Sequence, residues 1–444
     1  MKREKEETNI KNSSLITNHS SLLIKGGRVI DPSSDLDEVT DILIENGKVV
    51  KIGKTQELKS KNLNVIEAKG MIVVPGLIDM HVHLREPGYE YKETIKTGTE
   101  AAISGGFTSV CCMPNTNPVN DNRTVTEFIL DKARAEGSAH VYPIGAISKG
   151  LKGEEISEMA DLAEAGCVAF SDDGRPVMNS EIMRRAMEYA GALGIPVISH
   201  CEDINLSRGG VMNEGFVSTE LGLQGITRVA EEIAVARDLL LAELTGVKIH
   251  IAHVSTAGSV RLIKEAKERG IKVTAETCPH YFLLTEEFIR GYDTDTKVNP
   301  PLRTAEDVKA IREGLKDGTL DVIATDHAPH AIADKMVEFD YAPFGIAGLE
   351  TALSASLSLV EEGVLTLKEL IEKMAVNPSK ILKLEKGILK KGADGDITII
   401  DINKEVIVDP ARFKSKCKNT PFKGLKLKGI PLFTILKGIP KGMH

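Results

Sequence analysis

The chain has 444 residues, 42% of them hydrophobic, enough to bury one large domain and a smaller one. Acidic residues outnumber basic ones, 64 to 56, for a formal net charge of −8, which argues against a non-specific grip on nucleic acid. No apolar run approaches the roughly 20 residues of a membrane span. The first 22 residues carry no apolar stretch of signal-peptide length, so a polar tail on a soluble, cytoplasmic protein is expected.

After that tail, SLLIKGGRVIDP, TDILIENGKVVKIG and LNVIEAKGMIVVP alternate apolar and polar residues and turn at Gly or Asn-Gly, the pattern of hairpins. From residue 75 onward a different rhythm sets in: a short apolar strand, a polar loop, then an amphipathic helix. The strands are LIDMHVHL, TSVCCMP, HVYPIGAI, CVAFSDD, PVISHCE, KIHIAHVS, KVTAETCP and DVIATDHAP. Between them lie helical patterns such as SEIMRRAMEYAGALG and AEDVKAIREGLKDG, whose terminal Gly suits a left-handed helix cap. Eight such units predict an α/β fold, a parallel (β/α)8 TIM-like barrel over residues 75–384, with an open doubly wound sheet as the alternative. Residues 385–444 return to strand character. Together with residues 23–74 they are expected to form a small β-sandwich domain made by both chain ends. Pro431 and Pro440 predict that any strand at the extreme C-terminus is short or lies at an edge, because proline cannot donate to a ladder.

Six cysteines (Cys111, Cys112, Cys167, Cys201, Cys278 and Cys417) follow no CxxC spacing and read as reduced thiols packed as small hydrophobes. Polar chemistry gathers instead where the barrel strands end: HVHLR, CMPN, FSDD, SHCED, AHVS and ATDHAPH. Barrel enzymes build their sites on that rim. His81 and His83, two apart on a strand, face the same way. Paired with His200 and His253 from other strand ends they point to a metal centre, and four imidazoles favour two ions sharing a bridging carboxylate. Either Asp172 or Asp173 supplies that carboxylate, the other capping the loop. Asp326 provides a carboxylate able to move a proton. Arg85, always charged, suits a carboxylate on the substrate. Asn115, Asn299 and His330 add donors, and the backbone around Phe344 and Gly345 suits close approach to a flat ring. His250 reads as structural, His280 and Glu202 as supporting residues, His327 as pointing away from the centre, and Lys149 as solvated.

These motifs resemble the amidohydrolase superfamily. HVHLREPG, CMPNTNP, AFSDDGRPV, SHCED, AHVSTAGSV, AETCPHYF, KVNPPLR, ATDHAPH and APFGIAGLETAL resemble dihydroorotases of the bacterial long-chain type in particular, over residues 23 to 430. The resemblance implies zinc held by His81, His83, Asp173, His200, His253 and Asp326, with Asp173 shared. It implies contacts to dihydroorotate from His83, Arg85, Asn115, Asn299, His330, Phe344 and Gly345, and Asp326 as the catalytic acid and base. Many relatives carry a carboxylated lysine at the end of the fourth strand where this chain has aspartate. One or two zinc ions are therefore the alternatives. The implied activity is the interconversion of N-carbamoyl-L-aspartate and dihydroorotate in pyrimidine synthesis, by a homo-oligomer able to partner aspartate transcarbamoylase. An allantoinase- or hydantoinase-type activity, or a non-catalytic partner of that transferase, are the competing readings.

Overall fold

Each of the eight apolar runs forms a barrel strand: β1 (Leu77–Val82), β2 (Phe107–Cys112), β3 (His140–Gly145), β4 (Ala169–Phe170), β5 (Val197–Ser199), β6 (Ile249–Ile251), β7 (Val273–Thr277) and β8 (Val322–Ile323). A computed structural model describes residues 21–54 and 63–443. The strands pair in parallel in chain order from β1 to β8. The ring closes where Val82 bridges His327 and the His83 N–H donates to the His327 carbonyl at 2.8 Å. The open-sheet alternative is therefore set aside.

Local chemistry sets the helix ends. Thr94 caps the helix Ile95–Ser104 in a reciprocal pair with Thr97, and Asn179 caps Ser180–Leu193. Gly194 and Gly318 close their helices in the left-handed conformation as expected, at φ 68° and 83°. Gly137 differs: it follows Arg123–Glu136 in an extended conformation at φ −70°, so glycine there ends the helix without a left-handed turn.

The largest apolar core lies between the helices and the strands, with Phe107, Phe170, Met187, Val235, Ile263, Ile311 and Leu353 fully buried in it. A second cluster packs Met80, Cys111, Ile144, Ala169, Ile198, Ala252 and Ala324 against Ile381 and Leu382 of the helix Asn377–Leu382. Just before β8, the carbonyls of Leu320 and Asp321 accept from Lys373 at 2.7 Å and Asn377 at 2.9 Å. This segment thus stoppers the N-terminal end of the barrel and leaves the opposite rim for chemistry. All six cysteines are free and buried, and no helix among the described residues is long and apolar enough to cross a membrane.

Both chain ends contribute to one separate eight-stranded sheet, in which the strand Ile397–Ile407 lies between Ile72–Pro75 and Lys426–Leu436. Asn46 and Gly47, both at positive φ, make the tight turn of the hairpin from Leu36–Glu45 to Lys48–Ile52. Ser21 and Leu22, grouped by sequence with the tail, open the strand Ser21–Asp31, and residues 1–20 lie outside the described residues. Of the expectation that a C-terminal strand is short or lies at an edge, shortness fails for Lys426–Leu436, which runs for 11 residues, while the edge position holds at both prolines. Pro431 pairs with Ile400 on one side, and the last strand, Ile439–Met443, pairs only from Phe433 onward. The missing donor therefore faces an open side of the ladder. Pro440 sits in that last strand, at the edge of the sheet.

Candidate metal centre

Five strand ends deliver four imidazoles and two carboxylates to one buried spot. Asp173 is at its middle. Its Oδ1 lies 3.4 Å from His81 Nε2, 3.4 Å from His200 Nδ1 and 3.4 Å from His253 Nε2, and its Oδ2 lies 3.4 Å from His83 Nε2. Asp326 Oδ1 sits 3.0 Å from His83 Nε2 and 3.5 Å from His81 Nε2. His200 Nδ1 and His253 Nε2 approach to 2.8 Å. His81, His83 and Asp326 each offer one ligand atom within 4.8 Å of the others, as do His81, Asp173 and His253.

The neighbours of each ring decide which nitrogen faces inward. A carboxylate only accepts, so His81 must donate from Nδ1 to Glu276 Oε1, at 2.6 Å, which leaves Nε2 bare, buried and without a hydrogen-bond partner. His83 Nδ1 meets Asn115 Oδ1 at 2.8 Å, again freeing Nε2 for the centre. His200 donates from Nε2 to Glu202 Oε2 at 2.8 Å, so Nδ1 turns inward. Partners of this kind are what orient imidazole ligands toward a metal. Four inward nitrogens and two carboxylates with no apolar filler call for positive charge at the centre.

The electrostatics say the same. Burial opposes charge on His81 and His200. Asp173 and Glu276 nevertheless hold His81 well above its ordinary value, and Asp173 and Glu202 lift His200 to about 10. Burial alone would raise Asp173, but the facing histidines hold it well below the usual carboxylate range. A nitrogen and oxygen donor set of this composition fits a divalent cation such as zinc.

The backbone is bent to serve the site. Arg85, His253 and Asp326 adopt positive φ of 62°, 34° and 48°. Non-glycine residues are seldom held so, and such strain clusters at functional sites. Asp79 ties β1 to β8 by accepting from Thr325 Oγ1 at 2.5 Å and from the His81 N–H at 3.1 Å. Asp172, the alternative to Asp173, faces away from the centre. It accepts from the Ile147 and Ser148 amides at 2.7 and 3.0 Å, and burial raises it to about 6. His327 also points away, bonding Glu93 Oε2 at 3.3 Å, and Lys149 pairs with Glu155 at the surface.

The remaining expected residues fall into two groups. Beside the centre, Arg85 Nη2 lies 3.3 Å from His330 Nε2, which donates to the Phe344 carbonyl at 2.8 Å. Burial and the cations Arg85 and Lys92 depress His330 to about 2, so its ring is neutral. At Gly345, φ is +126° and an added Cβ would stand 2.5 Å from the Ala328 carbonyl, so only glycine fits. Asn299 instead donates to Glu202 Oε2 at 3.0 Å, one residue removed from His200.

Several participants escaped the sequence reading. Glu276 grips His81 and, through Oε2 at 3.2 Å, also meets His250; its one signal was a carboxylate inside an apolar strand. Lys92 donates to His330 Nδ1 at 3.2 Å, and Lys297, buried under the Phe344 ring at 4.8 Å, donates to the Phe339 carbonyl at 2.7 Å. Lys92 stands outside the quoted motifs, and Lys297 opens KVNPPLR, where only Asn299 drew notice.

Comparison with known proteins follows the same lines. The sequence profile of the family described as Dihydro-orotase-like matches residues 70–259, and that of the Amidohydrolase family matches residues 225–425. The dihydroorotase of Syntrophus aciditrophicus is 60% identical over 417 residues, covering 94% of this chain and 98% of that protein. That of Geobacter metallireducens is 62% identical over 418 residues, covering 94% and 98%. Among solved structures, the L-hydantoinase (dihydropyrimidinase) from Arthrobacter aurescens superposes with a TM-score of 0.85 at 26% identity, covering 95% of this chain and 96% of that one. The dihydropyrimidinase from Brevibacillus agri NCHU1002, 24% identical and covering 95% and 94%, superposes with a TM-score of 0.83 and shares the fold.

Proposed function

This chain belongs to the dihydroorotase family of the amidohydrolases, and on that premise we propose that it interconverts N-carbamoyl-L-aspartate and (S)-dihydroorotate, the ring-closing step of pyrimidine synthesis. The observation that carries the reading is the adjacency of two features. A centre of four imidazoles and two carboxylates, suited to zinc, lies beside the buried Arg85–His330 pair, close enough for Asp326 and Asp173 to act on the guanidinium.

Zinc held by His81, His83, Asp173, His200, His253 and Asp326 would supply Lewis-acid polarisation of the reacting carbonyl and acidify water at neutral pH. The chain's own residues do the rest. Arg85 offers its guanidinium to the substrate carboxylate, and burial makes that charge costly unless an anion meets it. Neutral His330 and Asn115 orient the same end of the molecule, and Phe344 and Gly345 wall one face of the ring. Asn299, through Glu202, supports the His200 side. Asp326 Oδ takes the proton from the attacking water in the hydrolytic direction and delivers it to the departing ring nitrogen. Ring closure uses the same positions in reverse.

Testing requires the zinc-loaded protein and a panel of dihydroorotate, hydantoin, dihydrouracil and allantoin. The expected result is turnover of dihydroorotate far above the others, abolished by chelation and restored by zinc. Preference for hydantoin or dihydrouracil would favour the activity named for the structural neighbours instead. A cytoplasmic location, self-association and pairing with aspartate transcarbamoylase rest on the family resemblance alone; size-exclusion of the two proteins together reads the last two.

A further inference from the structure

The connection between the strands Ile397–Ile407 and Lys426–Leu436 leaves the terminal sheet and reaches over to the barrel rim. Ser415 Oγ donates to Glu93 Oε2, in the loop after β1, at 2.6 Å, and the Lys416 N–H donates to Glu93 Oε1 at 3.2 Å. Four residues beyond Ser415, Asn419 is buried, 6% exposed, and uses both ends of its amide. Oδ1 accepts from the His330 N–H at 2.9 Å, and Nδ2 donates to the Gly345 carbonyl at 2.9 Å. Its own carbonyl accepts from the Ala347 N–H at 2.7 Å.

We propose that Asn419 is a positioning residue for substrate binding: its one amide ties the His330 backbone to the Gly345 carbonyl and so fixes the frame on which the His330 ring meets the Phe344 carbonyl. No backbone ladder does this, because the isolated bridge of His327 to Ile346 stops short of both. A rigid planar amide with one donor end and one acceptor end suits the task, since the two walls present an N–H and a carbonyl. The pocket is therefore completed by chain more than 70 residues beyond the walls it joins, and the proposal rests on the dihydroorotase reading only for the identity of what is held.

The test compares Asn419→Leu, which matches the shape without polarity, and Asn419→Asp, which keeps the acceptor for His330 and loses the donor to Gly345. Both are assayed in the full-length zinc-loaded protein for KM, kcat, metal content and hydrogen exchange of the peptide containing His330. Asn419→Leu is expected to raise the KM for dihydroorotate about tenfold. It should keep kcat within about threefold and metal content unchanged, and should speed exchange at His330. Asn419→Asp should raise KM while leaving that exchange slow. An unchanged KM in folded Asn419→Leu, or a fall in metal content matching the loss of activity, overturns the proposal. Should Asn419→Leu fail to fold, Asn419→Asp decides by the same KM and exchange readings. Should the unaltered protein not turn over dihydroorotate, the functional reading fails, whereas the exchange pattern still decides whether Asn419 holds the walls.

Discussion

Replacing Glu276 with Gln probes the centre through a residue that touches no substrate. The carboxylate accepts from His81 Nδ1 at 2.6 Å and faces His250 Nε2 at 3.2 Å, with no exposure to solvent. Glutamine keeps the volume and one acceptor, so His81 retains its orientation. What is lost is the charge-assisted part of the bond, and with it ligand basicity. Charged hydrogen bonds exceed neutral ones by about 1–2 kcal/mol, which is roughly 5- to 30-fold in metal dissociation constant. The measurement is a competitive titration of zinc against a chelating dye, followed by turnover at saturating zinc. Weaker metal binding with turnover largely restored by excess zinc is the expected outcome. An unaltered dissociation constant would refute the reasoning, because it would mean that the carboxylate does not tune His81 as a ligand.

Asp326→Asn should retain zinc and fold while lowering kcat by about 10²–10⁴; near-normal turnover would remove Asp326 as the proton carrier. Gly345→Ala places a Cβ 2.5 Å from the Ala328 carbonyl at φ +126°, and should cost about 1–3 kcal/mol of stability in denaturant titrations, with a raised KM. Lys335, buried among the carbonyls of Thr294 and Pro343, is pushed down by that burial to about 7. Because the unfolded lysine titrates near 10.5, the unfolded chain binds more protons between about pH 7 and pH 10.5, so this group makes stability rise with pH in that window. Lys335→Met should flatten the rise between pH 7 and pH 9 by about 1–2 kcal/mol; parallel urea midpoints for the two proteins would contradict it.

Period and polarity made much of the molecule legible in advance. Short apolar runs alternating with amphipathic helices implied the barrel strand by strand, because each strand and helix face is written locally in the residues that must be buried. The histidines at 81, 83, 200 and 253 and the carboxylate at 326 stood at strand ends, where a parallel barrel collects its chemistry. Spacing could not separate Asp172 from Asp173; only the fold shows one ring of imidazoles around the second and two backbone amides on the first. Pro431 left short strand and edge strand both open for a related reason. A missing donor is costly only if a strand lies on that side, and which side is open depends on pairing far along the chain.

The amino-acid order by itself determined the barrel, the terminal strands and the imidazole set, since these depend on patterns within a few residues. Only the tertiary structure decided the partners that give those residues their properties. Glu276 on His81, Lys92 on His330 and Asn419 across the pocket walls join positions separated by 195, 238 and up to 89 residues. Hydrogen bonds and charge act over a few ångströms of space, and distance along the chain carries no record of them.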